Sequence, residues 1–121
     1  MYRISVHDFF SSAHQLKGYR GKCEAVHGHN WKVEIEVQGE TLNDIGLLMD
    51  FTDLKKILKS AIDPLDHVLL NEVEGFRDKN PSSELIARHV YNRVKDILPE
   101  DIEIAMVTVW ESVSAKAIYF E

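Results

Sequence analysis

The chain has 121 residues, 45% of them hydrophobic and 28% charged, with a formal net charge of −6. That length predicts one domain with room for a proper core, and the acidic balance argues against nucleic acid as the main partner, because phosphate binding needs a basic face. A single cysteine excludes an intrachain disulfide framework; with no secretory leader in Met1-Tyr2-Arg3-Ile4-Ser5-Val6 and no apolar run of membrane-spanning length, the expected setting is reducing and cytoplasmic, without a membrane partner.

Residues 2–15 are rich in Ile, Val and Phe and read as a strand. From His27 the odd positions run His27, His29, Trp31, Val33, Ile35, Val37, and the even ones Gly28, Asn30, Lys32, Glu34, Glu36, Gln38. This strict alternation predicts a strand with one apolar and one polar face, broken after Gly39. The period then changes. Leu54, Ile57, Leu58 and Ala61 mark one face of a helix over 53–62, with Thr52 as N-cap and Pro64 at its end. Pro81-Ser82-Ser83-Glu84 opens a second helix behind a serine cap. Its buried stripe is Ile86, Val90, Val94 and Ile97, and Pro99 stops it. Residues 101–111 and 115–120 read as two further strands joined tightly through Ser112-Val113-Ser114. The order β-β-α-α-β-β predicts an α+β sandwich, a four-stranded sheet with both helices on one face. Its two open edges invite closure by oligomerisation.

Chemistry concentrates in Cys23-Glu24-Ala25-Val26-His27-Gly28-His29. On an extended segment His27 and His29 project to the same face. Catalytic zinc commonly takes three protein ligands and keeps a fourth position open. His7, His14, His67 and His89 are the candidates for the third. His14 ends the first strand, where hairpin pairing brings it beside the second, whereas His89 falls on a helix as a packing or surface residue. Only one cysteine is present, which favours a catalytic three-histidine site over a closed structural one. Spacing alone leaves Cys23 open as a fourth ligand.

A thiol gains reactivity when a neighbouring base or cation lowers its pKa. Asp66-His67, after Pro64, supplies an acid that can orient an imidazole, so a convergence with Cys23 would suit proton abstraction at carbon. Glu24 is a second candidate base. Glu111, at the end of the third predicted strand, has the planar geometry to accept paired hydrogen bonds from the amidine-like edge of a guanine or pterin ring. Trp110 beside it reads as core or interface. Lys17, Arg20 and Lys22 form a small basic cluster, either a solvated loop or a seat for an anionic group.

Several ordered motifs coincide: Ala13-His14, Cys23 through His29, Met49-Asp50-Phe51-Thr52-Asp53-Leu54-Lys55, Leu65-Asp66-His67, Asn80-Pro81-Ser82-Ser83-Glu84 and Glu111. Together they resemble the 6-pyruvoyltetrahydropterin synthase / 6-carboxytetrahydropterin synthase family along essentially the full chain. The resemblance implies the tunnelling fold, in which three subunits close a barrel and two trimers stack into a homohexamer. It implies Zn2+ on His14, His27 and His29, Cys23 as general base with Asp66 and His67 as its relay, and Glu111 as anchor of the pterin ring. It places Ser82 and Ser83 at hydroxyl positions that help hold the pterin across a subunit boundary. The implied substrate is 7,8-dihydroneopterin triphosphate. The short Cys-x-x-x-His-Gly-His spacing resembles the queuosine branch, which forms 6-carboxy-5,6,7,8-tetrahydropterin; the pyruvoyl-forming branch has a longer gap. A third branch, serving folate synthesis, uses a glutamate in Glu-x-x-His-Gly-His and forms 6-hydroxymethyl-7,8-dihydropterin. Cys23 and Glu24 satisfy the first and third patterns together. A non-catalytic pterin- or purine-binding relative is the alternative from another class.

Overall fold

A computed structural model describes every residue except Lys22 and Cys23. Its elements run β1 (Tyr2–His14), β2 (His27–Gly39), α1 (Phe51–Ile62), α2 (Ser83–Lys95), β3 (Glu103–Ser112) and β4 (Ala115–Tyr119), with 3₁₀ turns at Asp63–Leu65 and Leu70–Glu72. The strands form one antiparallel sheet in the order β1-β2-β3-β4. The helices pack on it, α1 against β1 and α2 against β3 and β4. The expected α+β arrangement is therefore present.

Alternation along β2 decides which face is covered. Trp31, Val33, Ile35 and Val37 are fully buried, while the residues between them are not. They meet Leu54, Leu58 and Ala61 of α1 and Ile86, Ala87, Val90 and Val94 of α2 in one apolar core. Burial of each such aliphatic side chain contributes about 1.5–3 kcal/mol, so the period-2 strand and the 3.6-period helices hold each other in place. The opposite face carries Lys32, Trp110 and Lys116 in cross-strand register. Both ammoniums stand over the indole, 4.5 and 5.2 Å from its centroid. Trp110 is thus half-buried on the helix-free face rather than in the core.

Two helix details differ from the sequence expectation. Asp50, not Thr52, caps α1, accepting the Thr52 amide at 2.7 Å; both residue types cap well, and the helix begins earlier, at Phe51. Ile97 lies beyond the end of α2 and is 49% exposed, because the chain leaves the helical path after Lys95. Ser82 does cap α2, accepting the Leu85 amide at 3.2 Å.

Register places the functional end of the sheet. β1 and β2 pair without a break from Tyr2↔Gly39 to His14↔His27. β3 carries two irregularities. Ala105 is extra opposite Glu36 and Val37, and Glu111 is extra opposite the Ala115–Lys116 step of β4. Such bulges re-aim side chains and commonly sit beside functional sites. The outer edge of β1 is partly covered: His67 donates its amide to the Ser11 carbonyl at 2.6 Å and Ala13 donates to the Val68 carbonyl at 3.2 Å.

Candidate metal centre and pterin site

Three imidazoles gather where β1 and β2 end. His14 and His27 are direct cross-strand partners and therefore share a face; His29 lies two residues along on that same face. The ring centroids are 4.6–5.2 Å apart. Trp31 forms the floor beneath them, with its ring edge-on to His14 and His29 and its indole N–H donated to the Ser12 carbonyl at 3.2 Å.

The hydrogen bonds fix which nitrogens face inward. His14 Nδ1 lies 2.9 Å from the Pro81 carbonyl, and His27 Nδ1 lies 2.9 Å from the Ala25 carbonyl. A carbonyl oxygen only accepts, so each Nδ1 carries the proton and each Nε2 keeps a lone pair. These two Nε2 atoms then face each other at 3.1 Å. His29 Nε2 is buried with no hydrogen-bond partner among the described residues, 3.3 Å from a Glu111 oxygen in unsuitable geometry for one. Three imidazole nitrogens gathered at one point, two of them with lone pairs directed inward, call for a cation. Zinc–nitrogen bonds of about 2.0–2.1 Å at tetrahedral angles separate two ligand nitrogens by about 3.3–3.4 Å, close to what is seen. The backbone carbonyls that orient His14 and His27 are the usual outer partners of metal-bound histidine. The donor set His14, His27, His29 and Glu111, with ligand atoms within 4.8 Å of one another, fits a metal ion.

Burial pushes the His29 imidazole below its ordinary pKa range, an effect the neighbouring Glu111 carboxylate opposes. The neutral form that coordinates metal is thereby favoured. Glu111 reaches this position from its bulge in β3, and its other oxygen accepts the Ser83 hydroxyl at 3.3 Å. Ser83 is therefore beside Glu111, and Ser82, its neighbour, accepts the Leu85 amide as the helix cap.

Asp66 and His67 form a pair at 2.9 Å between Oδ2 and Nδ1. The Ser11 amide, donating to Asp66 at 2.9 Å, and the His67 imidazole hold the Asp66 carboxyl below the usual range. His67 is 80% exposed and has φ of 55°, a left-handed conformation uncommon for a non-glycine residue. Strain of this kind concentrates at functional sites. Cys23 lies outside the described residues, so its convergence with this pair does too. Glu24 is described: its carboxylate accepts the Leu16 amide at 3.3 Å and lies 3.9 Å from His27 Nδ1. Lys17 and Arg20 lie in the connection between β1 and β2, and Lys22 is outside the described residues. His89 packs by its ring against Phe76, at 5.0 Å, and His7 is exposed near Phe9. Neither joins the imidazole group.

A four-stranded antiparallel sheet backed by two helices, with a histidine cluster at the end of its first hairpin, defines a tunnelling-fold chain with a candidate metal centre. The chain belongs to the 6-pyruvoyl tetrahydropterin synthase family, which matches residues 3–121. It is 30% identical to the 6-carboxy-5,6,7,8-tetrahydropterin synthase of Haemophilus influenzae over 143 residues, covering 100% of both chains. It is 34% identical to the dihydroneopterin monophosphate aldolase of Pyrococcus furiosus over 109 residues, 90% of this chain and 89% of that one. Its fold superposes on the Caenorhabditis elegans 6-pyruvoyl tetrahydropterin synthase with a TM-score of 0.84 at 24% identity, covering 99% and 95% of the two chains.

Proposed function

We propose that the chain is a zinc-dependent 6-carboxy-5,6,7,8-tetrahydropterin synthase that converts 7,8-dihydroneopterin triphosphate, with release of acetaldehyde and triphosphate, in queuosine and related 7-deazapurine synthesis. The observation that carries this reading is the convergence of three Nε2 atoms, two of them with lone pairs directed inward, beside a carboxylate suited to a pterin edge. Similarity to a 6-carboxytetrahydropterin synthase over the whole chain supports it.

In this reading His14, His27 and His29 hold the ion, which supplies Lewis acidity toward a substrate oxygen. Glu111 accepts two hydrogen bonds from the pyrimidine edge of the pterin, its carboxylate oriented by the Ser83 hydroxyl. The Ser82 hydroxyl donates to the same ligand. Cys23 takes the proton from the side-chain carbon, and the His67–Asp66 pair carries protons to and from it, with Asp66 fixing the imidazole tautomer. Two trimers assemble into a homohexamer, closing the sheets into barrels and placing sites at subunit interfaces.

A second reading extends the first. Glu24 faces the His27 ring, and a similar protein of comparable length is a dihydroneopterin monophosphate aldolase. Retro-aldol cleavage to 6-hydroxymethyl-7,8-dihydropterin needs a base near the same side chain, and Glu24 fills that role in a dual enzyme serving folate synthesis. Product analysis on dihydroneopterin triphosphate and on its dephosphorylated form tests both readings. Cys23→Ala is expected to abolish the carboxypterin and Glu24→Gln the hydroxymethylpterin. Intact carboxypterin formation by the Cys23 variant would remove the proposed base.

A further inference from the structure

The ladder on the outer edge of β1 does not stop where the strand does. Ser11 pairs with the Asp66 carboxylate and the His67 amide, and Ala13 with the Val68 carbonyl. At Gln15 and Lys17 two asparagine side chains take over. Asn71 accepts the Gln15 amide and donates to the Gln15 carbonyl, both at 2.8 Å. Asn80 does the same for Lys17, both at 2.8 Å. Each carboxamide thus imitates one rung of a sheet, since it offers an acceptor and a donor side by side. On the opposite edge, Glu24 is the hydrogen-bond partner of Gln15 and Leu16 among the described residues. The Glu24 amide donates to the Leu16 carbonyl at 3.2 Å, its carboxylate accepts the Leu16 amide, and its carbonyl accepts the Gln15 side-chain amide at 2.7 Å.

We propose that Asn71 and Asn80 are positioning residues for Glu24: through Gln15-Leu16-Lys17 they set where its carboxylate stands against His27. Neither asparagine touches the imidazole cluster; both act through the tripeptide. The two are supplied by the chain between α1 and α2, one from the 3₁₀ turn at 70–72 and one from the residue before Pro81. Pro81 also orients His14 through its carbonyl. One stretch of chain therefore braces a proposed metal ligand and Glu24 together, and a small displacement of a reacting group costs up to about 100-fold in rate. The inference deepens the proposed function, because it rests on Glu24 being an acid–base residue of that site.

The test uses the zinc-loaded protein with Asn71→Ala, Asn80→Ala and, as gentler variants that keep the acceptor oxygen and lose only the donor, Asn71→Asp and Asn80→Asp. Hydrogen exchange is read at the Leu16 and Glu24 amides, which bond to neither asparagine. Faster exchange at both, unchanged zinc content, and kcat lowered about 10- to 100-fold with KM within a few-fold are the expected results. Unchanged exchange at Glu24, or unchanged kcat, would overturn the proposal. So would loss of zinc with the rate per bound zinc preserved, since the asparagines would then serve the metal ligands. If the unaltered protein turns over no pterin, the functional reading has failed, and the exchange data alone decide whether the brace exists. If an alanine variant does not fold, Asn71→Asp and Asn80→Asp give the same readouts.

Discussion

Glu111 stands in two relations at once, 3.3 Å from His29 Nε2 and in a hydrogen bond from Ser83. As fourth ligand it would close the metal; as pterin anchor it leaves the open position that catalysis needs. The anchor role predicts that Glu111→Ala keeps its zinc, by elemental analysis, while KM for the pterin rises steeply. Loss of zinc in that variant would assign Glu111 to the metal instead. His14→Ala, by contrast, is expected to lose both metal and activity. His89 gives a pH prediction. Burial, reinforced by Arg93, holds its imidazole below the ordinary value. The unfolded chain then binds this proton more readily than the folded one, so the associated stability is complete above about pH 6.5 and declines as pH falls below it. Thermal melts between pH 7.5 and 5.5 should show a smaller acid loss for His89→Gln than for the unaltered chain. At this scale the histidines were legible because strand parity orients them, and His14 because hairpin pairing recruits it. The asparagine rungs were not, since an Asn–backbone pair leaves no period in the sequence and its partner lies 56 or 63 residues away.

The elements were legible where periodicity was strong. Alternation in β2 and the apolar stripes of both helices survive in the structure almost unchanged, because burial enforces them. Element ends were less so: Asp50 and Thr52 are both capable caps, and only the bond from the Thr52 amide to the Asp50 carboxylate distinguishes them. The bulge that carries Glu111 was invisible, as nothing local in Trp110-Glu111-Ser112 marks it. Two substitutions separate fold from function here. Ser82→Ala removes the α2 cap and should cost about 1 kcal/mol by chemical denaturation; a KM effect beyond that loss reports its contact with substrate. Trp31→Ala empties the floor of the imidazole cluster and should cost about 3–5 kcal/mol, with weakened zinc retention as the sign that the floor also orients His14 and His29.

For the whole molecule, the open edges of the sheet are its most telling property. β4 is short and carries Ile118 and, just after it, the exposed Phe120. A groove of about 720 Å³ runs beside it, lined in part by Arg3, Tyr91, Ile104, Met106 and Phe120. Exposed edges of this kind pair with other chains unless guarded. The proposed hexamer predicts a six-chain mass by sedimentation equilibrium. Ile118→Glu is expected to reduce that mass and the activity together while zinc binding, built within one chain, persists.

The unbroken pairing of β1 with β2 has one more consequence. A slip of one residue would turn every side chain to the other face, so the three imidazoles meet only in the native register. In the proposed zinc enzyme, metal uptake is therefore a stopwatch for refolding. A chelating dye competing for zinc during a stopped-flow experiment would time the moment when the hairpin locks into register.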